Sequence, residues 1–322
     1  MTSQPILSIC IPTWNRAVFL DTSLASFKKQ IDDINAEDIE LFISDNCSED
    51  NTSSIVKKYI DEGMPITYNR NDENIGAARN FLKCMEWASG KYILLLGDDD
   101  ILNPGSLNLI VDSLKGNDYG VAFIHKFDNV EEEIKEYNDL ESFYKQISYW
   151  FTFMSGCIFL KEVVPQIEWQ KYVNTHLLQM PYYIASASLR KNNLLINKPI
   201  IQEGLDKSSN GGYNFYEVFV QNYLNIWHEF VDKKILSKSC FRFIKKDIYV
   251  NFIDRTFNYR LLVKHVDVKD ETEAYKGNRK GFKIKGANQV LLKYYGNSGY
   301  FYLSMMKMHI RKYVAKVYHL FK

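Results

Sequence analysis

Three adjacent carboxylates, Asp98-Asp99-Asp100, close the run Lys91-Tyr92-Ile93-Leu94-Leu95-Leu96-Gly97 and are followed by Ile101-Leu102-Asn103-Pro104-Gly105, which reads as a turn. Three like charges at the end of a buried strand repel one another. Desolvating any of them is costly unless a cation or hydrogen bonds compensate. Mg²⁺ or Mn²⁺ compensates by binding one or two carboxylates together with phosphate oxygens of a shared ligand. The triplet therefore suggests a metal–diphosphate site with Asp98, Asp99 and Asp100 as candidate ligands. A solvated acidic turn or a helix N-terminus would account for the same residues without a ligand.

The elements before the triplet repeat one pattern. Ile6–Ile11 reads as a buried strand ended by Pro12, with Thr13-Trp14-Asn15-Arg16 as a polar loop before a helix from about Ala17 to Gln30. Glu40–Ser44 is a second strand, and Asp45-Asn46-Cys47-Ser48-Glu49-Asp50-Asn51-Thr52 leads into a helix over Ser53–Ile60. Ile66–Tyr68 is a short third strand, after which Asn74-Ile75-Gly76-Ala77-Ala78-Arg79-Asn80 opens a helix that Ser89-Gly90 stops.

Strands alternating with helices through short loops predict an α/β fold, a parallel sheet with helices on both faces. Ligands of such sheets sit at the carboxyl ends of the strands. The loops on that edge carry Thr13, Asn15, Arg16, Asp45, Asn46, Asn74, Arg79 and Asp98 to Asp100. Taken singly, Asp45 can be turn chemistry, Asn74-Ile75-Gly76 a tight turn and Arg79 a solvated helix face. Together they converge on one edge.

In this order and spacing the segments Ser8–Arg16, Ile43–Thr52, Asn74–Asn80 and Gly97–Asp100 resemble the family 2 glycosyltransferases of GT-A fold. The likeness is strongest to bacterial enzymes that build surface polysaccharides such as O-antigen, capsule or teichoic-acid glycans, abequosyltransferase-like proteins among them. It covers about residues 5–110. The resemblance implies a Rossmann-like, mainly parallel sheet flanked by helices, and inverting transfer of a sugar from a nucleotide donor, most often UDP-linked, to a hydroxyl of a glycan or lipid-linked glycan. By the same resemblance Pro12, Thr13 and Arg16 line the nucleotide pocket. Asn15, Asn46, Asn74 and Gly76 belong to it, Asp45 binds the base and Arg79 approaches the diphosphate. Asp98 faces the ribose and Asp100 the metal, Mn²⁺ or Mg²⁺; Asp99 stands between them as a further candidate to share it, and the sequence leaves open which of the three binds directly.

Such a reaction leaves negative charge on the diphosphate as the anomeric bond breaks, and a base must take the acceptor's proton. The family places a carboxylate base, often in a Glu-Asp pair, near the start of a following helix. Here Tyr172-Val173-Asn174-Thr175-His176-Leu177-Leu178 puts His176 at that point, a residue equally suited to a structural place beside its leucines. Glu203 and Asp206 are the other candidates, in the stretch Ile200–Tyr213, dense in Gly, Ser and Asn after a strand-like start, which reads as a lid or a long surface loop. The departure leaves open a second class of function: a non-catalytic sugar-nucleotide or glycan-binding protein, or a scaffold of a glycan-assembly complex.

The second half continues with a strand over Tyr119–His125 and an acidic helix-prone or loop stretch over Val130–Glu141. A buried strand with a Ser-Gly kink is expected over Trp150–Leu160. The expected organisation is a glycosyltransferase domain over residues 1–213, its nucleotide-sugar half 1–110 and its acceptor half 111–213, and a helical, basic extension over 214–322. After Glu273 there is no Asp or Glu. The stretch 300–322 mixes large apolar residues with Lys and Arg at helical spacing, a pattern that suits either an anionic membrane surface or a packed helix with a solvated basic face.

Size and composition bound the rest. The 322 residues, 46% hydrophobic and 25% charged, are ordinary for a globular protein, and a net charge of +1 gives no overall field for nucleic acid. Five cysteines without a close C-x-x-C pair argue against a disulfide or thiolate–metal framework. Neither a signal-like N-terminus nor an apolar run of ~20 residues is present. The expectation is a cytoplasmic protein, with peripheral attachment to the inner face of the plasma membrane as its membrane alternative.

Overall fold

The computed structural model describes residues 4–202, 213–254, 287–299 and 301. The chain divides into two compact units, Met1–Asp206 and Lys207–Lys322.

In the first unit β1 (Leu7–Thr13), α1 (Ala17–Ile31), β2 (Ile39–Asp45), α2 (Thr52–Asp61), β3 (Ile66–Arg70), α3 (Ala77–Trp87) and β4 (Tyr92–Leu95) follow one another in the expected alternation. Then come β5 (Ile101–Leu102), α4 (Ser106–Leu114), β6 (Tyr119–Ile124), β7 (Ile134–Tyr137), α5 (Leu140–Ile147), β8 (Cys157–Leu160), α6 (Met180–Ser188), β9 (Asn192–Ile196) and β10 (Ile201–Gln202). Eight strands form one sheet in the order β3-β2-β1-β4-β8-β6-β9-β7, and β5 pairs with β10 in a separate ribbon.

β1 lies between β2 and β4, parallel to both, and all seven of its residues are buried. A strand covered on both faces has no polar side to alternate, which is why the run from Leu7 to Ile11 carries only one polar side chain, Ser8. The core on one face of this sheet gathers Ile9, Ile11, Leu41, Ile43, Leu94 and Leu96 from the strands with Leu20, Leu24 and Phe27 from α1.

The sheet is mixed in its second half. β8 runs antiparallel between β4 and β6, while β6 and β9 are parallel. Two sequence expectations change here. Val130–Glu141 contains an edge strand, β7, antiparallel to β9, whose residues alternate between exposed and half-buried. Its Lys135 and Glu136 made the segment read as a surface crossing, yet charge on an edge strand is a common guard against unwanted pairing. Trp150–Leu160 is a strand only over Cys157–Leu160. Ser148–Thr152 and Met154–Gly156 form two 3₁₀ turns, and at Gly156 a Cβ would lie 3.0 Å from the Ile124 carbonyl oxygen.

The second unit contains a π-helical segment Glu217–Asn222, α7 (Tyr223–Asp232), α8 (Lys238–Asp247), a further π-helical segment Ile248–Asp254 and α9 (Ala287–Tyr295). Its core is aromatic: Trp227, Tyr223, Tyr216 and Tyr295 are fully buried. Among the described residues no helix is long and apolar enough to cross a membrane. Residues 203–212 of the candidate lid, Glu203 and Asp206 included, and the stretch 302–322 lie outside the described residues.

Candidate active site

The site is built where β1, β2, β3 and β4 end side by side. In register, Thr13 of β1 stands beside Asp45 of β2, and Asp45 beside Arg70 of β3. Leu96 extends β4 by donating its N–H to the Cys10 carbonyl at 2.9 Å, after which the chain turns at Gly97 and the three carboxylates emerge.

Arg16 organises two of them. Its Nε donates to Asp98 Oδ1 at 2.7 Å and its Nη2 lies 3.0 Å from Asp99 Oδ2, while Thr13 Oγ1 donates to Asp98 Oδ2 at 2.7 Å. Asp98 is almost wholly buried. Burial pushes its pKa up to about 6, with Arg16 and Thr13 pulling against that rise and the neighbouring Asp99 charge adding to it.

Arg16 occupies the N-cap position of α1, where its side chain makes no capping bond. The cap is supplied from a distance: Asp50 Oδ2 accepts from Ala17 N at 2.9 Å and its Oδ1 from Thr52 N at 3.0 Å, so one carboxylate serves the starts of α1 and α2. Burial would raise the Asp50 carboxyl, but the bonds from Thr52 and Ala17 outweigh it and hold it below its ordinary range.

Asp100 is held by a residue from far along the chain. Ser155, in the 3₁₀ turn before β8, donates its hydroxyl to Asp100 Oδ2 and accepts the Gly97 N–H at 2.9 Å. Ser23 of α1 donates to the Asp100 carbonyl at 3.0 Å. A Cβ at Gly97 would stand 2.8 Å from Asp100 Oδ2 and 3.2 Å from Asp99 Oδ1, so the turn has room only for glycine with the carboxylates as they are.

Asp45 is fully buried, accepting from Ser48 N at 2.8 Å on one oxygen and from the Tyr68 hydroxyl at 2.6 Å on the other. Burial and the Asp45 charge raise the Tyr68 pKa, which keeps that hydroxyl a donor. Arg70 Nε lies 3.8 Å from that second oxygen.

Around Asp45 runs an amide network. Asn46 donates to Asn74 Oδ1 at 2.7 Å and accepts from Asn71 at 3.0 Å and from Ile75 N at 3.0 Å. Buried Asn80 bridges to Ser44 through two bonds, 2.7 and 2.9 Å. Asn74 accepts from Gly76 N at 2.9 Å, and Gly76 takes φ +85°, a conformation that side chains resist. Asn15, itself at φ +53°, joins the first two loops by donating its N–H to Ser48 Oγ at 2.8 Å and accepting Glu49 N at 2.7 Å. Arg79 is exposed in the first turn of α3. Pro12 is buried within β1.

His176 is exposed at φ +59° in the turn before α6. Three residues on, buried Gln179 donates to the Thr152 carbonyl at 3.2 Å, which ties this turn to the segment carrying Ser155. On the same sheet edge, at the end of β6, His125 stacks on Trp150 with ring centroids 3.7 Å apart and meets Phe127 at 4.6 Å. Burial lowers its pKa to about 4 against the pull of Asp128.

Ser155, Tyr68, Asn71 and His125 were not singled out in the sequence. Only Ser155 left a signal, the Ser-Gly pair inside an apolar run. Among the described residues no three His, Cys, Asp or Glu side chains form a group that could hold a metal ion by itself. The set present, Asp99 and Asp100 beside an ordered Asp98, fits a Mg²⁺ or Mn²⁺ ion that takes its remaining ligands from phosphates and water.

The family model for glycosyl transferase family 2 matches residues 8–167, the stretch that contains β1 to β4, the carboxylate turn and Ser155. Residues 8–167 are a family 2 glycosyltransferase domain. The chain is 40% identical over 106 residues to abequosyltransferase RfbV of Salmonella typhimurium, covering 33% of this chain and 31% of that protein. It is 32% identical over 137 residues to a Campylobacter jejuni protein named GalNAc(5)-diNAcBac-PP-undecaprenol β-1,3-glucosyltransferase, covering 40% of this chain and 42% of that protein. The chain thus spans less than half the length of these curated relatives. Among solved structures, S. aureus TarS in complex with UDP-GlcNAc aligns with TM-score 0.57 at 19% identity, over 83% of this chain and 77% of that one. Mannosyltransferase PcManGT from Pyrobaculum calidifontis in complex with GDP-Man and Mn²⁺ aligns with TM-score 0.53 at 13% identity, over 99% and 88%. Both likenesses are of fold, and the mixed sheet with its helices is the GT-A arrangement the sequence predicted.

Proposed function

We propose that this family 2 domain catalyses inverting transfer of a sugar from a nucleotide-diphosphate donor, a UDP-sugar in the leading case, to a hydroxyl of a bacterial surface glycan. The observation that carries the reading is the Arg16 fork on Asp98 and Asp99 with Ser155 on Asp100: side chains from two distant segments order three carboxylates at the strand edge where the first four β-strands end.

The parts divide the work by chemistry. Asp45, with Asn46 and Asn74 beside it, is suited to the base, because an ionised carboxylate accepts from a ring N–H. Asp98 is suited to ribose hydroxyls and Asp99 with Asp100 to a divalent cation. When bound, that cation would neutralise the charge that grows on the departing diphosphate. Arg79, exposed at the start of α3, supplies a second positive charge there. His176 takes the acceptor's proton, with Asp206 the alternative. Direct attack by the acceptor then needs no covalent enzyme intermediate. The UDP-GlcNAc bound to S. aureus TarS and the undecaprenol-linked glycan named for the Campylobacter jejuni relative favour a nucleotide-sugar donor and a lipid-linked acceptor. With such an acceptor the basic stretch 300–322 would rest on the cytoplasmic face of the membrane.

The test is release of UDP from a panel of UDP-sugars with Mn²⁺ or Mg²⁺, repeated with Asp100→Ala. Metal-dependent turnover that Asp100→Ala abolishes, in a protein that still unfolds cooperatively, is the expected result. Nucleotide binding without turnover for every donor would favour a binding or scaffold protein instead, and undiminished turnover in Asp100→Ala would remove the metal assignment.

A further inference from the structure

The exposed face of α8 is a basic surface that the proposed reaction does not use. Ser237 caps the helix by accepting Cys240 N at 3.1 Å, and Cys240, Ile244 and Ile248 form the buried side at four-residue spacing. The opposite side carries Lys238, Arg242 and Lys246, also at four-residue spacing and all exposed, with Lys233 and Lys234 in the turn before the helix. Beside this stripe stand two apolar side chains that the fold leaves in water, Phe243 at 44% and Val250 at 37% exposure.

None of the five cations forms an ion pair among the described residues. Two neighbouring acids have other partners: Asp232 lies 3.2 Å from His228 Nδ1, and Asp247 accepts from Asn251 at 2.6 Å. A surface whose five cations have no ion-pair partner among the described residues, and that exposes a phenylalanine among them, is complementary to a layer of anionic headgroups over acyl chains, where the ammonium and guanidinium groups meet phosphate and the ring enters the interface. A solvated basic face would explain the charges. It would not explain why, among the described residues of the unit, thirteen aromatic or aliphatic side chains are at 2% exposure or less while Phe243 stands at 44%.

We infer that the Lys238–Arg242–Lys246 face of α8, with Phe243, is a docking surface for an anionic lipid membrane. It is distinct from the stretch 300–322. The inference adds a contact within the folded second unit, and it holds whether or not the first unit transfers sugar.

The experiment is sedimentation of the full chain with vesicles of phosphatidylcholine alone and of phosphatidylcholine with phosphatidylglycerol at 3:1, in ~0.1 M salt, where surface charges still act over ~10 Å. The wild-type chain should partition onto the anionic vesicles only. Lys238→Gln/Arg242→Gln/Lys246→Gln should weaken that partitioning about 100-fold, since each basic residue contributes roughly fivefold. Phe243→Ser should weaken it less. A control with the same change in net charge, Lys29→Gln/Lys57→Gln/Lys191→Gln, should bind as wild type. All six residues are exposed, so both triples should keep the wild-type thermal midpoint. Unchanged binding by the α8 triple, equal losses in both triples, or equal binding to the two vesicle types would each overturn the inference. No sugar donor enters the assay, so its outcome is independent of the donor panel.

Discussion

Arg16 donates to Asp98 through Nε and reaches Asp99 through Nη2, so one planar guanidinium sets the spacing of two adjacent carboxylates. A lysine ammonium is a point charge and cannot hold both at once. Arg16→Lys should therefore retain much of the stability while turnover falls about 100-fold, since misplaced groups at a reacting centre lose rate at that scale. Arg16→Ala should in addition destabilise the fold by ~2–3 kcal/mol at pH 8, where buried Asp98 is left charged without its partner. Paired urea titrations and UDP-release rates check both; equal activity in Arg16→Lys and wild type would mean the fork does not matter.

Ser155 joins Asp100 to Gly97 across the turn, and its removal strands a half-buried N–H and a buried carboxylate oxygen together. Ser155→Ala should cost ~1–3 kcal/mol, the penalty for an unsatisfied buried group. Ser155→Thr keeps the hydroxyl and should lose less. If Asp100 meets the metal, Ser155→Ala should also raise the Mn²⁺ concentration needed for half-maximal turnover, a readout that a purely structural bond would leave alone. A metal titration of the three proteins measures it.

The first four strands and their loops were legible because each problem there is local. A continuous apolar run must be a buried strand, a polar loop must follow it, and parallel order puts the loops on one edge. The antiparallel insertion of β8 was not legible, since nothing in Cys157–Leu160 says which strands it parts, and Ser155 meets Asp100 only through that insertion. β7 was hidden by its charges, which an edge strand tolerates on its solvent side. Asn71 and Asn80 look like loop and helix polar residues, and only their burial reveals that they fasten Asn46 and Ser44.

His125 gives the first unit a pH dependence of definite sign. Its imidazole titrates at about 4 in the fold because burial against Trp150 and Phe127 disfavours the charged ring, against 6.5 in its ordinary state. Between those values the unfolded chain binds a proton that the folded chain does not. Stability is therefore fully present above pH 6.5 and drains away as the pH falls toward 4, by ~2–3 kcal/mol after allowance for partial exposure. His125→Phe keeps a ring for the stack and removes the titration. Urea midpoints at pH 7 and 4.5 should show wild type losing more stability than the variant by about that amount, and parallel slopes would contradict it.

His176 is the hardest assignment and admits a sharp test. The side chain is exposed, so its contribution to folding is small, but the left-handed backbone at φ +59° and the Gln179 tether to Thr152 fix where the turn lies relative to the Ser155 segment. A base acts on the acceptor, not on the nucleotide. His176→Gln should accordingly lower kcat for transfer about 100-fold, within the range typical of a general base, while leaving the affinity for UDP and Mn²⁺ as in wild type. Asp206→Asn, measured beside it, separates the alternative: a 100-fold loss there with full activity in His176→Gln would move the base to the segment after β10. A loss of nucleotide affinity in His176→Gln would instead place the histidine against the donor, and the acceptor's proton would need another destination.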